Sequence, residues 1–349
     1  LIMRNFIAGL FVLLFTLILS AAGLELLVRL AYGDGSNFDI EMWRYARELK
    51  RVSVIPGVGH EHRANTSGVY MGVPVTINSA GLRGREYAPD KSPGTVRILM
   101  LGDSVTFGWG TPEEGTTSTA LERNLNAGAA SARFEVINTG VGNTNTAMQV
   151  AYFLHKGVAF QADVVVLNYF INDAEETPTK QDSWLTDWSY AAVFIAGRLD
   201  ILERSYFGKA DWREYYRDLY RPGAPGWQEA ERRFAELAAF CRERGVRLLV
   251  VNYPELHELA DYPFPEVTAR VAALAESEKL PFLDLLPSIR SQVPDSLWVT
   301  PTDSHPNAKA AELFSAAIAD KLRTSYPDLF ASEPPEPQQT SGDAAARGG

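Results

Sequence analysis

Five short apolar runs that do not alternate with polar residues constrain this chain most: Val96–Leu101, Phe134–Asn138, Val164–Asn168, Val246–Val251 and Pro281–Leu285. A strand with one face in water alternates apolar and polar residues. A run without alternation is buried on both faces. Segments of helical period lie between the runs. Trp227 to Arg244 puts Ala230, Phe234, Leu237, Ala238 and Cys241 on one face. Glu266 to Lys279 does the same with Val267, Val271 and Leu274, and the segment after Pro306 with Ala310, Leu313, Phe314, Ala317 and Ile318. Strands alternating with helices predict an α/β fold: a parallel sheet of about five strands, covered by helices on both faces.

The other segments are read against that core, which the sequence places at residues 95–330. Residues 6–24 carry no charge and follow Arg4. At about 1.5 Å per residue this stretch spans a bilayer core. The basic side comes first, so residues 1–32 are expected to be an uncleaved signal anchor, with the rest of the chain outside the cytoplasm. Cleavage near Ser20-Ala21-Ala22 and secretion is the alternative. Residues 33–94 are rich in Gly, Pro and short alternations such as Val73-Pro74-Val75-Thr76-Ile77, which predict a small β-rich lead-in. Residues 175–226 form an aromatic-rich insertion that includes Trp184, Trp188, Tyr206, Phe207, Trp212, Tyr216 and Tyr220. It is expected to be a helical subdomain, compatible with a lid or a carbohydrate-stacking wall. Residues 331–349 are Pro-, Gln-, Ser- and Gly-rich and are expected to be disordered.

Composition excludes several functions. A formal net charge of −10 and the absence of a basic patch argue against nucleic acid as a partner. The lone cysteine, Cys241, permits neither an internal disulfide nor a Cys-based metal site, and it falls on an apolar helix face. His60 and His62 stand two apart with no third ligand tied to them, so they are read as a surface loop; no metal or cofactor is expected.

In an open parallel sheet, ligands bind beyond the carboxyl ends of the strands. Here those ends carry Gly102-Asp103-Ser104, then Gly140-Val141-Gly142-Asn143-Thr144-Asn145, Ile171-Asn172-Asp173, Asn252-Tyr253-Pro254-Glu255 and Thr302-Asp303-Ser304-His305-Pro306-Asn307. A serine hydroxyl is a weak nucleophile that needs a neighbouring base. His305 is the candidate base, and Asp303 the group that fixes its tautomer. An oxyanion needs aimed donors. The candidates are the backbone N–H of Ser104, a backbone N–H at Gly142 (Asn143 being the alternative) and the Asn172 side-chain amide. Asp103 is read as a hydrogen-bonding support for the serine loop.

These blocks resemble those of the SGNH (GDSL-type) hydrolase superfamily across roughly residues 95–325. The match is carried by Gly102-Asp103-Ser104-Val105-Thr106-Phe107-Gly108, by Asn138 to Thr146, by Asn172-Asp173 and by Asp303-Ser304-His305-Pro306-Asn307. The resemblance implies a flavodoxin-like three-layer α/β/α sandwich and a Ser-His-Asp mechanism without a metal. Two positions depart from the family pattern. Phe170 stands where the third block has glycine. In the last block the acid lies two residues before His305, at Asp303, where the family has it three before; that position is Thr302. The Asp-x-His spacing is similar to that of polysaccharide O-acetyltransferases of this superfamily.

The expected function is therefore a serine hydrolase acting on ester bonds through an acyl-serine, deacylating a carbohydrate or a small ester. Two alternatives accompany it: an O-acetyltransferase acting on an exopolysaccharide or cell-wall glycan, and a catalytically silent glycan-binding component. The expected partners are an ester-bearing small molecule or acylated glycan, and the bacterial inner membrane through the N-terminal helix. The catalytic domain is expected on the periplasmic side.

Overall fold

The computed structural model describes residues 2–127, 132–177, 188–206 and 211–330. The 331–349 tail read as disordered, and Trp184 and Phe207 of the insertion, lie outside the described residues; so does the Tyr206 side chain.

Helix α1 (Ile2–Tyr32) is followed by α2 (Phe38–Glu48), then by two antiparallel pairs, β1 (Lys50–Val52) with β2 (His60–His62), and β3 (Thr66–Tyr70) with β4 (Val73–Ile77). Asn37 caps α2 by accepting the Ile40 N–H. The β3–β4 turn places Met71 and Gly72 at φ 50° and 73°, as a two-residue hairpin turn requires. Residues 33–94 thus hold a helix as well as strands. The sequence reading missed α2 because it is only 11 residues long and stands beside Gly- and Pro-rich stretches.

The core comprises β5 (Thr95–Leu101), α3 (Ser104–Phe107), α4 (Thr117–Asn126), β6 (Arg133–Asn138), α5 (Thr146–His155) and β7 (Val164–Tyr169). The insertion contributes α6 (Tyr190–Tyr206) and α7 (Trp212–Leu219), and α8 (Pro225–Arg244) leads into β8 (Arg247–Asn252). The chain ends with α9 (Pro265–Ser277), β9 (Phe282–Asp284), α10 (Leu286–Ile289), the hairpin β10 (Trp298–Thr300) and β11 (Asp303–Pro306), and α11 (Ala308–Ser325).

The central sheet has the order β6-β5-β7-β8-β9, and every pairing is parallel. Its strands match the five apolar runs, and the order is the flavodoxin-like one. Alternate residues supply the two cores. Leu99, Leu101, Val165, Leu167, Leu248 and Val250 face Phe153, Phe234, Leu237 and Val271 from α5, α8 and α9. Ile98, Met100, Val164, Val166, Leu249 and Val251 face Leu121, Phe314 and Ile318 from α4 and α11. Fully burying a Leu, Ile, Val or Phe is worth roughly 1.5–3 kcal/mol, so these two faces dominate the stability. Cys241 is part of the first core, and burial pushes its thiol up to about 12, which keeps it protonated.

Two smaller clusters tie the N-terminal elements to this body. Tyr45 and Leu49 pack with Tyr70, Val75 and Ile77 on Phe107 and Trp109. Val28 of α1 packs with Ile40 of α2 and with Ala191 and Val193 of α6. From Phe6 to Leu24 the helix is exposed and carries no charge, and Met3–Tyr32 is long and apolar enough to cross a membrane.

Candidate active site

The switch point between β5 and β7 is where the chain connections leave in opposite directions, opening a crevice at the carboxyl edge. Asp103 leads the chain into α3 there. Its carboxylate accepts the Val105 N–H at 2.8 Å, which fixes the turn that presents Ser104. Neighbouring strand ends brace the turn: Asn138 Nδ2 donates to Thr106 O at 2.8 Å, and Asn168 Nδ2 to Thr106 Oγ1 at 3.0 Å. Gly140 allows the β6 loop to lie against α3, since a Cβ there would sit 2.2 Å from Phe107 N.

The β10–β11 hairpin brings Asp303 and His305 to the same place. His305 Nδ1 lies 2.6 Å from Asp303 Oδ1, and Nε2 lies 2.9 Å from Ser104 Oγ. A carboxylate only accepts, so Nδ1 carries the proton and Nε2 accepts from the serine hydroxyl. Burial alone would raise the Asp303 carboxyl. The bonds from His305, together with Trp109 Nε1 donating at 3.0 Å to Oδ2, outweigh burial and hold it below the usual carboxylate range. Thr302 is exposed and meets Thr300, so the hairpin turns Asp303, and not the position three before the histidine, onto the imidazole.

Ser104 and His305 open on a cavity of about 320 Å³ that also takes in Asn143 and Asn172. Phe170, at the position of the family glycine, forms part of its wall. Asp103 is fully buried and unavailable as a second base. Burial raises its carboxyl and that of Asp173, and their proximity raises Asp173 further. Asp173 stays in place by accepting from Gln149 Nε2 at 2.8 Å and from the Phe170 N–H at 2.9 Å.

The expectation that Gly142 supplies a backbone oxyanion donor is corrected. Its N–H donates to Tyr45 Oη at 3.0 Å, inside the protein. A Cβ at Gly142 would stand 2.9 Å from the Tyr45 ring, so glycine is what permits this approach. The Gly142 carbonyl accepts from Lys50 Nζ at 2.9 Å, with His60 Nε2 at 3.1 Å. In a trans peptide the following N–H points the other way. That N–H belongs to Asn143, which borders the cavity and finds no acceptor among the described residues. Asn143 has φ 62°, a left-handed conformation that Asn tolerates better than most residues.

His60 and His62 are likewise not a surface loop. They form β2, and His62 is buried beneath Tyr45. Tyr45 Oη lies 2.7 Å from His62 Nε2, whose Nδ1 lies 3.2 Å from Gly81 O. Nδ1 therefore donates, Nε2 accepts from Tyr45, and the tyrosine oxygen is left to accept from Gly142. Burial and the nearby Lys50 push His60 down to about 4 and His62 to about 3, so both are neutral at neutral pH.

The sequence reading also missed Phe38 and Met42 of α2, which line the cavity; the Phe38 ring stacks 5.9 Å from that of His305. It missed Trp109 for the same reason, because its role depends on a contact 194 residues away. The pair Glu255/His257 left a visible signal: it repeats the acid-x-His spacing of Asp303/His305.

The family model of GDSL-like lipase/acylhydrolases matches residues 100–313. Similar solved structures include an acetylxylan esterase from Geobacillus stearothermophilus, 14% identical at a TM-score of 0.44 over 67% of this chain and 96% of that one. A lipase/acylhydrolase from Enterococcus faecalis is 16% identical, with a TM-score of 0.42 over 66% and 96% of the two chains. A GDSL-like lipase from Bacteroides thetaiotaomicron is 14% identical, with a TM-score of 0.41 over 68% and 93%. No curated protein sequence matches. The chain belongs to the GDSL-like lipase/acylhydrolase family and is an SGNH-type ester hydrolase.

Proposed function

We propose that Ser104 is the nucleophile of an esterase that removes a short acyl group from a carbohydrate. The observation that carries this reading is the unbroken line Ser104 Oγ, His305, Asp303, with separations of 2.9 and 2.6 Å, at the floor of the cavity. In the reaction, Ser104 Oγ attacks the ester carbonyl carbon while His305 Nε2 takes its proton. Asp303 balances the imidazolium. The oxyanion faces the N–H groups of Ser104 and Asn143 and the Asn172 amide. Collapse breaks the bond to the alcohol oxygen, which receives the proton from His305. Water then attacks acyl-Ser104, with His305 again as base, and the acid leaves.

Support for a carbohydrate comes from the cavity walls. Phe38, Phe170, Trp212 and Tyr216 present aromatic faces beside polar groups, which suits a ligand with apolar faces and hydroxyl edges. The uncharged stretch of α1, residues 6–24, follows Arg4 and anchors the catalytic body on the outer face of the inner membrane in this reading. The test uses the full chain in detergent. Ser104→Ala should lower hydrolysis of 4-nitrophenyl acetate by on the order of 10³-fold or more, with an unchanged circular dichroism spectrum. Activity equal to the unmutated protein would refute the nucleophile assignment.

A further inference from the structure

The catalytic cavity holds a second carboxylate–histidine pair. Glu255 and His257 follow β8 and line the wall that Ser304 and His305 also border. The local geometry repeats that of Asp303 and His305. In each pair the histidine backbone N–H donates to the acid two residues before it, at 2.9 Å for Glu255 and 3.1 Å for Asp303. In each, Nδ1 is bound to the same carboxylate. His257, however, has no serine at its other nitrogen. With Nδ1 committed to Glu255, Nε2 finds no partner among the described residues, and the side chain is 47% exposed at the cavity.

The pair is held as a rigid unit. The Trp212 and Trp298 rings lie 5.5 and 4.9 Å from the imidazole. Trp298 Nε1 donates to Leu256 O at 3.2 Å, pinning the segment to the hairpin that carries Asp303 and His305. The Glu255 side chain is only 6% exposed. A buried carboxylate costs several kcal/mol unless it is paired and hydrogen-bonded. Here that burial serves to fix the ring and the tautomer of one histidine.

We infer that Glu255 and His257 form a subsite for a hydroxyl group on the glycosyl part of the substrate, with Trp212 and Tyr216 facing the sugar ring. The inference rests on the reading of Ser104 as nucleophile and adds what the alcohol side of the ester must present. Any positive charge on His257 is matched by Glu255, so the pair offers one aimed hydrogen-bonding nitrogen and no net positive charge. That favours a neutral hydroxyl over an anion. The neighbouring Arg213 is engaged by Glu258 and Asp211 and adds no free cation to the wall. A site built to bond a hydroxyl discriminates strongly against ligands that lack it.

The experiment compares the full chain in detergent with His257→Leu and His257→Gln, using 4-nitrophenyl acetate and a partially acetylated xylo-oligosaccharide. The expected result is a fall of tenfold or more in the ratio of kcat/KM for the oligosaccharide over the aryl ester in His257→Leu, mostly through KM. His257→Gln, whose amide nitrogen reaches a similar place, should recover part of that ratio. Calorimetry in the Ser104→Ala background should show the oligosaccharide binding at least tenfold more weakly once His257→Leu is added. Equal losses on both substrates, an unchanged ratio, or binding indifferent to His257 would each overturn the inference. The binding comparison needs no turnover, so its failure is separate from failure of the nucleophile assignment, which Ser104→Ala tests with the aryl ester alone.

Discussion

Lys50→Met should separate stability from catalysis. Lys50 is 8% exposed, and its Nζ donates to the Gly142 carbonyl, the carbonyl half of the peptide whose N–H is the proposed Asn143 oxyanion donor. Burial pushes the ammonium down from 10.5 to about 7. The unfolded chain therefore binds more protons than the folded one between these values, and stability rises with pH across that window. The slope approaches ~1.4 kcal/mol per pH unit, and the penalty borne by the folded state near pH 7 is on the order of 4 kcal/mol. Methionine fills a similar volume and has no charge to bury. It loses a hydrogen bond worth roughly 1.5–3 kcal/mol, part of which His60 retains. The variant should thus be as stable as the unmutated protein at pH 7 or more so, and should lose that advantage by about pH 9–10. Catalysis should move the other way. With the Gly142 carbonyl less firmly held and less polarised, the Asn143 N–H is a poorer donor, and kcat on an aryl acetate should fall about tenfold, or ~1.4 kcal/mol. Urea unfolding at pH 7 to 10 and steady-state kinetics at pH 7.5 measure the two. Parallel stability profiles for the two proteins would refute the argument from burial. An unchanged kcat would refute the link to the oxyanion donor.

Trp109→Phe removes the 3.0 Å donor to Asp303 Oδ2, one of the bonds that keep this carboxyl low. The Asp303 carboxyl should rise, so the acid limb of the kcat/KM profile should move to higher pH, with a loss of about three- to tenfold at neutral pH; a superimposable profile would show the bond to be dispensable. Asn172→Ala should reduce kcat by on the order of 10²–10³-fold with little change in KM, as expected for a donor used mainly in the transition state. A loss confined to KM would instead make Asn172 a ground-state binding residue.

The sheet was legible because burial on both faces leaves a local trace. Runs such as Val164–Asn168 admit no polar residue until the strand ends, and all five matched strands. The carboxyl-edge positions of Ser104, Asn172, Asp303 and His305 followed from the strand ends, and the structure brings Ser104, Asn172 and His305 to one cavity, with Asp303 behind the imidazole. Contacts made from outside the core were not legible. His62 reads as part of a surface loop and Lys50 does not stand out, because nothing within ten residues reveals that they lie under the Gly142 loop. The Gly142 N–H is taken up by Tyr45, 97 residues away. Sequence spacing orders groups along a strand end but does not say which of two adjacent amides is already occupied.

That placement changes the standing of the lead-in region. Helix α2 carries Phe38 and Met42 in the cavity wall and Tyr45 against the Gly142 loop, and β1 carries Lys50. The same helix is packed through Ile40 against Val28 at the end of α1. Five residues, 33–37, separate the two helices, and Asn37 among them caps α2. The segment that would emerge from a membrane is therefore also the segment that builds one side of the active site. A cut at residue 35 spares the cap and every side chain that touches the cavity. A cut at the start of β5 would remove Phe38 from beside His305 and the Tyr45, Lys50 and His60 contacts that hold Gly142, leaving Ser104, His305 and Asp303 in place without the support of the proposed Asn143 donor. The family match covers residues 100–313, yet the physical site begins at Phe38. The residues between α1 and the sheet build one wall of this cavity and are not a mere linker to it.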